Sequence, residues 1–235
     1  GEPQQKERAE AWRVAIGLQA VDGLKTSEYL HETARRNIEG EISIDEARDI
    51  VKQYYITKTS HDEDNQDQEE ADIVSSNISK LLQTDAFTYS VAGISAIHRA
   101  IFEGVFKHAG HFREYDISKK EWVLRGDSVL YGRWQDLQIA LEYDLEQERK
   151  FDYSSLNMGQ IIERLAKFIS GLWQIHPFRE GNTRTTAVFA IKYLRSQGFQ
   201  VNNDLFEQHS WYFRNALVRA NYRNLSTVCN SGCAR

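Results

Sequence analysis

The sequence is poor in the residues that stabilise secreted domains and in those that interrupt helices. Its 235 residues include two cysteines, Cys229 and Cys233, and two prolines, Pro3 and Pro177. Two cysteines near the end of the chain supply no disulfide framework for a core, which favours a reducing cytoplasm. Pro177 is the one proline beyond the first few residues, so few helix breakers are present and a mostly helical fold is predicted.

Two further features that the sequence lacks, a long apolar run and a surplus of basic residues, argue against a membrane and a nucleic acid as partners. No apolar run approaches the roughly 20 residues that a membrane-spanning helix requires, and the start GEPQQKERAEAW lacks the apolar segment of a signal peptide. Basic residues are outnumbered, with 29 Lys and Arg against 34 Asp and Glu. Domains that grip nucleic acids usually carry a basic surplus, so neither a nucleic acid nor a membrane is expected as a partner.

Apolar periodicity and capping residues predict an all-α fold with one small β-hairpin. Thr26 or Ser27 can cap a helix that Gly40 ends, and the S-I-D-E pattern at Ser43 forms a capping box for the next helix. Between residues 109 and 131, the runs EWVL and SVLY flank a Gly-Asp turn, which predicts the hairpin. Further helices are predicted over 9–24, 69–83, 91–107, 133–148, 156–174, 183–197 and 204–221.

The segment with the most biased composition is SHDEDNQDQEEAD, residues 60–72, which holds seven acidic residues and no lysine or arginine. A calcium-binding loop needs a glycine and a closing glutamate at fixed spacing, and this segment has neither in place. We therefore interpret it as a solvated turn followed by the start of a helix.

The segment with the clearest chemistry is LWQIHPFREGNTRTTAVFAIKYL, residues 172–194. A long amphipathic helix ends near Ile175, the loop HPFREGN follows, and a second helix begins near Thr183. The backbone N–H groups at a helix N-terminus attract anions. Gly181 permits close approach of a phosphate to the backbone, while Asn182 and Arg184 can donate hydrogen bonds to its oxygens.

Two further residues of this loop predict a reaction. Glu180 places an acid where an anion is expected, which indicates a Mg²⁺ ion bridging phosphates. His176 has an intrinsic pKa suited to removing a proton from a hydroxyl nucleophile. The spacing of these two residues also occurs in helical zinc sites, but Pro177 and Gly181 oppose a helix there. Taken singly, each residue also fits a structural or solvated position.

The string H-P-F-R-E-G-N-T-R resembles the signature loop of Fic-domain proteins, H-x-F-x-D/E-G-N-x-R-x-x-R. Upstream, GISAIHRAIFEGVFKHAGHFREYDI resembles the helix and the A-G-x-F-R element that precede the family's substrate-binding hairpin, or flap, and DISKKEWVLRGDSVLY lies where that flap belongs. The resemblance covers roughly residues 85–222. It implies a Fic-type helical bundle with one hairpin.

The resemblance also implies an activity and the residues that perform it. Most of the family transfers AMP from ATP to a Ser, Thr or Tyr hydroxyl of a protein. By position, His176 is the general base, Phe178 anchors the loop, and Glu180 binds Mg²⁺. The residues that bind the nucleotide are Gly181, Asn182, Thr183 and Arg184. Those of the flap that dock the target by strand pairing are Lys119, Lys120, Glu121, Trp122 and Val123.

This sequence departs from the family pattern at several positions. Ala187 replaces a second arginine, which leaves the orientation of the nucleotide less determined, and Thr183 replaces a common glycine. YLHETARRNIEGEIS resembles the inhibitory helix of self-inhibited Fic proteins, S/T-x-x-x-E-G/N, with Glu39 as its acid. Because Ala187 and Arg35 replace the second motif arginine and the Ser/Thr, we expect this helix to dock on the domain and to inhibit weakly, or to inhibit through other contacts.

These interpretations divide the chain into an N-terminal helical segment over 1–60, an acidic connector and helix over 61–84, a catalytic core over 85–225 and a disordered tail over 226–235. The resemblance leaves other activities open, namely transfer of UMP, phosphocholine or phosphate, and removal of AMP with Glu39 positioning water. A catalytically weak nucleotide-binding module is the alternative of another class. Auto-AMPylation and a homodimer are further expectations.

Overall fold

The computed structural model describes residues 4–58, 63–120, 128–201, 206 and 209–222. Within these residues the chain is mostly helical and contains one two-stranded antiparallel sheet, which confirms the predicted fold class. The helices are α1 (Gln5–Gly17), α2 (Glu28–Glu39), α3 (Ile44–Thr57), α4 (Glu63–Leu82), α5 (Val91–Phe102), α6 (Leu137–Arg149), α7 (Met158–Ile175), α8 (Asn182–Ser196) and α9 (Ser210–Ala220). The strands are β1 (Ser118–Lys120) and β2 (Ser128–Leu130), and short 3₁₀ helices cover Leu18–Asp22 and Trp134–Asp136.

Capping residues begin α2 and α3, and a glycine ends α2, where the sequence predicts them. The Ser27 hydroxyl accepts a hydrogen bond from the N–H of Leu30 at the start of α2, and Gly40 ends that helix in the left-handed conformation. Ser43 and Glu46 form the predicted capping box of α3. The predicted helix over 91–107 is shorter, because α5 ends at Phe102 and the chain turns at Gly104 with φ of 85°.

One compact unit combines Gly1–Phe112 with Phe178–Phe213. In this unit α4 packs against α1, α3, α5 and α8. One apolar cluster of this unit consists of Trp12, Leu30, Ala34, Ala47, Val51, Tyr55 and Ile73.

The C-terminal end of α4 is held by cations from α8. Lys192 is buried, and its ammonium group donates to the carbonyl oxygens of Leu81 at 2.8 Å and Thr84 at 2.7 Å. Arg195 donates to the carbonyl oxygen of Leu82 at 3.0 Å. These bonds satisfy carbonyl groups that a helix end leaves without intrahelical partners, so α8 fixes this end of α4.

Asp72, at the end of the acidic segment, is a buried residue of α4, where the sequence predicted a solvated turn and the start of a helix. Its side chain is fully buried and accepts hydrogen bonds from the backbone N–H of Ser27 at 2.9 Å, the Ser27 hydroxyl at 2.5 Å and the Tyr55 hydroxyl at 2.6 Å. Burial raises the pKa of the Asp72 carboxyl, while the three donors oppose that shift. The carboxylate therefore ties α4 to α3 and to the start of α2.

A second compact unit combines Arg113–Pro177 with Arg214–Arg235. Helix α6 packs against α7, and the hairpin pairs Ser118 with Leu130, Lys119 with Val129 and Lys120 with Ser128. These contact-defined units divide the chain differently from the sequence-based boundaries at residues 60, 84 and 225. In the ranges that the structure describes, no helix is both long and apolar enough to cross a bilayer.

Candidate active site

His176 lies at the bend where α7 ends. Asn157 begins α7 with a capping box, and the helix runs to Ile175. His176 then takes the left-handed conformation, with φ of 53° and ψ of 60°, and is the one non-glycine residue with positive φ among those described. Such a conformation costs free energy and persists only where surrounding contacts enforce it.

Arg113 supplies those contacts. Its guanidinium is buried, and Nε donates a hydrogen bond of 2.8 Å to the carbonyl oxygen of His176. The backbone N–H of Arg113 donates to the carbonyl oxygen of Pro177 at 2.9 Å. The terminal guanidinium nitrogens donate to the carbonyl oxygens of Ile175, Tyr115 and Gly132. A buried guanidinium needs these acceptors, and the same bonds fix the backbone that carries the imidazole.

The imidazole of His176 is held in one tautomer. Its Nδ1 lies 3.1 Å from the carbonyl oxygen of Trp173. Because a carbonyl oxygen can only accept, Nδ1 carries the hydrogen and Nε2 keeps its lone pair. The ring is 3% exposed and stacks on Tyr131, with 4.0 Å between ring centroids. This tautomer is the one that a base acting through Nε2 requires.

The surroundings of His176 favour its neutral form. Burial lowers the pKa of the imidazole well below its usual 6.5, and the positive charges of Lys119, Arg113 and Arg214 lower it further. The hydrogen bond to Trp173 opposes this shift. At neutral pH the ring is therefore uncharged and able to accept a proton.

The loop after His176 is held by a contact with α5 and by hydrogen bonds within the loop. Phe178 is buried, as expected for an anchor, and its ring stacks on His98 at 3.7 Å. The side-chain amide of Asn182 accepts from the N–H of Phe178 at 2.9 Å and donates to the carbonyl oxygen of Phe178 at 2.8 Å. Both ends of the Asn182 amide thus bind the loop backbone, where the sequence predicted a contact with phosphate.

Gly181 is the N-cap residue of α8 and has φ of 74°. A Cβ atom at this position would lie 2.1 Å from the ring of Phe102, so only glycine fits. The next residues, Asn182, Thr183 and Arg184, form the first turn of α8, whose N–H groups have no intrahelical acceptors. Thr183 and Ala187, which depart from the family pattern, are both buried.

Glu180 is exposed directly before this helix N-terminus. Mg²⁺ is commonly bound through one or two carboxylates together with the phosphates of a substrate, and not by an all-protein cage. The part of the chain that the structure describes holds no group of three or more His, Cys, Asp or Glu side chains suited to an ion. A single accessible carboxylate beside an anion-attracting helix end fits Mg²⁺ that arrives with a nucleotide.

Arg184 is enclosed by acidic and amide groups of the N-terminal helices. Its guanidinium is 2% exposed and donates to Gln19 Oε1 at 3.0 Å and to Glu70 Oε1 at 2.7 Å, while Nε lies 2.9 Å from Asp22 Oδ2. One face of the guanidinium lies over Phe102 at 4.8 Å. We call these three partners, Gln19, Asp22 and Glu70, the Arg184 clamp. None of the three was predicted from the sequence.

Glu39 does not belong to the Arg184 clamp. Its carboxylate pairs with Arg35, four residues earlier on α2, and is substantially exposed. Arg35, which replaces the family's Ser/Thr, also pairs with Glu32 at 2.7 Å. The acids that contact Arg184 come from the 3₁₀ turn after α1 and from α4.

Two of the five predicted flap residues lie in the part of the chain that the structure describes. Lys119 and Lys120 lie in β1, opposite Val129 and Ser128, whereas Glu121, Trp122 and Val123 lie outside the described residues, as does the predicted tail. The boundary between the compact units falls between Pro177 and Phe178. His176 therefore belongs to one unit, and the residues from Glu180 to Arg184 belong to the other.

Comparison with known proteins gives the same assignment as the motif. Residues 88–194 match the Fic/DOC family model. The "Probable protein adenylyltransferase Fic" of Escherichia coli (strain K12) is 28% identical over 120 residues, which are 50% of this chain and 56% of the relative. Protein adenylyltransferase VbhT of Bartonella schoenbuchensis is 26% identical over 48% of this chain and 22% of the relative.

A protein adenylyltransferase of Bartonella henselae is 23% identical over 57% of this chain and 26% of its own length. The chain thus corresponds to between about a quarter and a half of these relatives. Among solved structures, the N-terminal Fic domain of a cell filamentation protein (VirB-translocated Bep effector protein) from Bartonella quintana aligns with 66% of this chain and 80% of its own, at a TM-score of 0.43 and 18% identity.

Proposed function

Because residues 88–194 belong to the Fic/DOC family, we propose that the chain transfers AMP from ATP to the hydroxyl of a Ser, Thr or Tyr side chain of a protein, its own chain included. The observation that carries this proposal is the state of His176. The residue is neutral, its Nδ1 hydrogen is committed to Trp173, and Nε2 remains as the acceptor. That arrangement suits a general base for a hydroxyl nucleophile.

In the proposed reaction, His176 Nε2 takes the proton of the target hydroxyl as its oxygen attacks the α-phosphorus of ATP. A new P–O bond joins AMP to the side chain, the bond between the α-phosphorus and the bridging oxygen breaks, and pyrophosphate leaves with that electron pair. The His176 ring is covered by Tyr131. Productive binding of a target therefore includes displacement of Tyr131, which directly follows β2.

Groups before and within the first turn of α8 would stabilise the negative charge of the nucleotide phosphates. Glu180 would hold Mg²⁺, which neutralises phosphate charge when bound. The N–H groups at the start of α8 and the guanidinium of Arg184 add positive potential. Arg184 can contribute only after the Arg184 clamp opens, because Asp22 and Glu70 hold its guanidinium.

The hairpin is the proposed docking surface for the target. In the described residues β1 and β2 pair only with each other, so each strand has an outer edge to which an extended peptide can add. Lys119, an exposed residue of β1, adds a positive charge to the hairpin. We expect the segment of the target that carries the hydroxyl to be extended.

The deciding experiment is mass spectrometry of the purified chain after incubation with ATP and Mg²⁺, run alongside transfer of label from ATP labelled in the α-phosphate. A mass gain of one AMP moiety, lost in His176→Ala and retained in His111→Ala, supports the proposal. His111 is a suitable control because it is an exposed histidine outside the loop. Undiminished labelling of folded His176→Ala would contradict the assignment of the base.

A second candidate is a nucleotide-binding module with little transferase activity. The Arg184 clamp favours it, because the arginine of the motif is engaged by two carboxylates. Isothermal titration with ATP and Mg²⁺ separates the two candidates. Binding without label transfer to the chain or to any protein of a lysate favours the module, whereas label in protein favours the transferase.

A further inference from the structure

His98 occupies a core position of α5 that periodicity assigns to an apolar residue. Its neighbours one turn away on the same face are Ile94 and Ile101, and all three side chains are buried. Burial of an imidazole without hydrogen-bond partners is costly, so a histidine at such a position needs an acceptor and a donor from the surrounding backbone.

Both ring nitrogens of His98 have backbone partners. The N–H of Gly110 donates to Nδ1 at 2.8 Å. Since a backbone N–H can only donate, Nδ1 is unprotonated and the hydrogen lies on Nε2. Nε2 then donates to the carbonyl oxygen of Glu180, which lies 3.1 Å away. One neutral ring thus connects the turn at Gly110 to the loop that carries the motif.

The ring is fixed on its other sides as well. Its face stacks on Phe178 at 3.7 Å, with 14° between the planes. Gly110, the donor to Nδ1, has φ of 82°, and a Cβ atom there would lie 2.8 Å from the side chain of Arg99. The hydroxyl of Ser95 donates to the carbonyl oxygen of Gly110 at 2.5 Å. The hydrogen bond to Glu180 therefore comes from a ring that is contacted on several sides.

This bond sets the orientation of the peptide plane between Glu180 and Gly181. In a planar trans peptide the C=O and the following N–H point in opposite directions. Holding the Glu180 carbonyl oxygen at His98 consequently aims the Gly181 N–H away from α5. It also fixes the backbone from which the exposed Glu180 carboxylate extends. Both groups belong to the phosphate and metal site of the proposed function.

We propose that His98 is a positioning residue for the metal–nucleotide site, acting through the hydrogen bond from its Nε2 to the Glu180 carbonyl oxygen. This role rests on the proposed function for the identity of the ligand, but the orientation of the peptide plane is a property of the chain alone. Two substitutions distinguish the roles of the two ring nitrogens of His98. His98→Asn keeps an acceptor near the place of Nδ1 and loses the donor, whereas His98→Gln brings an amide donor near the place of Nε2.

The first measurement is hydrogen–deuterium exchange of the segment 178–184 without nucleotide. Exchange at Gly181 and Asn182 is expected to be about tenfold faster in His98→Asn than in the wild type, and close to the wild type in His98→Gln. Thermal unfolding gives the control, since a merely structural role would lower the melting temperature of both variants equally. Equal exchange in the two variants would overturn the proposal.

The second measurement is the Mg²⁺ concentration that gives half-maximal AMP transfer, which is expected to rise about tenfold in His98→Asn and to be restored in His98→Gln. An unchanged Mg²⁺ requirement in an active His98→Asn variant would overturn the role in the metal site. If the wild type transfers no AMP while the exchange difference is found, the proposed function fails and the orienting role of His98 is supported.

Discussion

At the scale of single residues, the backbone conformation of His176 determines which ring nitrogen carries the hydrogen. The left-handed conformation turns the chain sharply at the end of α7 and leaves Nδ1 facing the carbonyl oxygen of Trp173, one turn back. Arg113 enforces that conformation from the other side by binding the His176 carbonyl oxygen. The tautomer of the candidate base is thus a consequence of how the helix ends.

The lowered pKa of His176 predicts a pH profile. The proposed transfer requires the neutral ring, so kcat/KM is expected to fall when the pH drops through the pKa of His176 in the free chain. Because burial and nearby cations lower that pKa, the acidic limb is expected below pH 6.5, and the rate should stay level from about pH 8 to that value. Initial rates across this range, with circular dichroism to verify folding, test the prediction. An acidic limb centred at or above 6.5 would contradict it.

Gly181 offers a stability test with a matched control. Gly181→Ala places a Cβ atom against the ring of Phe102 in a left-handed residue, whereas Gly23→Ala has a similar φ of 74° and no atom within 4 Å. Both variants incur the backbone cost of about 1 kcal/mol, and Gly181→Ala is expected to lose roughly 1–3 kcal/mol more through the overlap. Urea unfolding measures the difference. Equal losses would show that Phe102 moves aside freely.

At the scale of elements, the restraint on Arg184 comes from α4 and the turn after α1, not from the end of α2. The sequence pattern led to Glu39 because its E-G pair resembles the family motif, yet Glu39 pairs locally with Arg35, which also pairs with Glu41. Glu70 lies in a stretch that composition alone describes as solvated. Which of its acids faces α8 is decided by the packing of α4.

Opening of the Arg184 clamp is predicted to raise activity. Glu70→Gln and Asp22→Asn each remove a negative charge from Arg184 and keep a polar side chain of similar size, and either is expected to raise AMP transfer about tenfold, or about 1.4 kcal/mol. Glu39→Gln is the control, with a change below about twofold. Label transfer and thermal unfolding are measured together, because a buried arginine that loses a partner also costs stability. A larger gain in Glu39→Gln than in Glu70→Gln would favour the family's inhibitory residue.

Local signals explain which elements the sequence predicts correctly. The caps at Ser27 and Ser43, the end of α2 at Gly40 and the hairpin depend on residues within a few positions of each other. The roles of His98, Arg113 and Asp72 depend on partners far along the chain. The type of these residues therefore does not predict which groups they bind. One signal was available, since a histidine within the stripe formed by Ile94, Ile97 and Ile101 has to find hydrogen-bond partners in a core.

At the scale of the whole molecule, one compact unit is assembled from two stretches of chain, Gly1–Phe112 and Phe178–Phe213. Helix α8, which carries half of the motif, therefore shares a unit with α1 to α5. A separate regulatory module at the N-terminus, as the sequence suggested, remains a prediction. The contacts of α4 with both α1 and α8 indicate that stability in this unit depends on α4.

Asp72 gives a test of that dependence. Asp72→Asn keeps the shape of the side chain but directs an amide N–H₂ at the donors Ser27 and Tyr55, so the free energy of unfolding is expected to fall by about 1–3 kcal/mol. Asp49→Asn, at an exposed position of α3, is expected to change it by less than about 0.5 kcal/mol. Urea unfolding at pH 7 measures both. Similar values for the two variants would contradict a central role for the buried carboxylate.

The bonds from Lys192 and Arg195 to the last carbonyl groups of α4 bear on how Arg184 is released. Those anchors lie on the same helix as Arg184, two to three turns farther along. When Glu70 releases the arginine, we therefore expect the C-terminal end of α4 to stay bound to α8. Because these contacts are intramolecular, we expect a ligand or a substitution to weaken them and dilution of the protein to leave them unchanged.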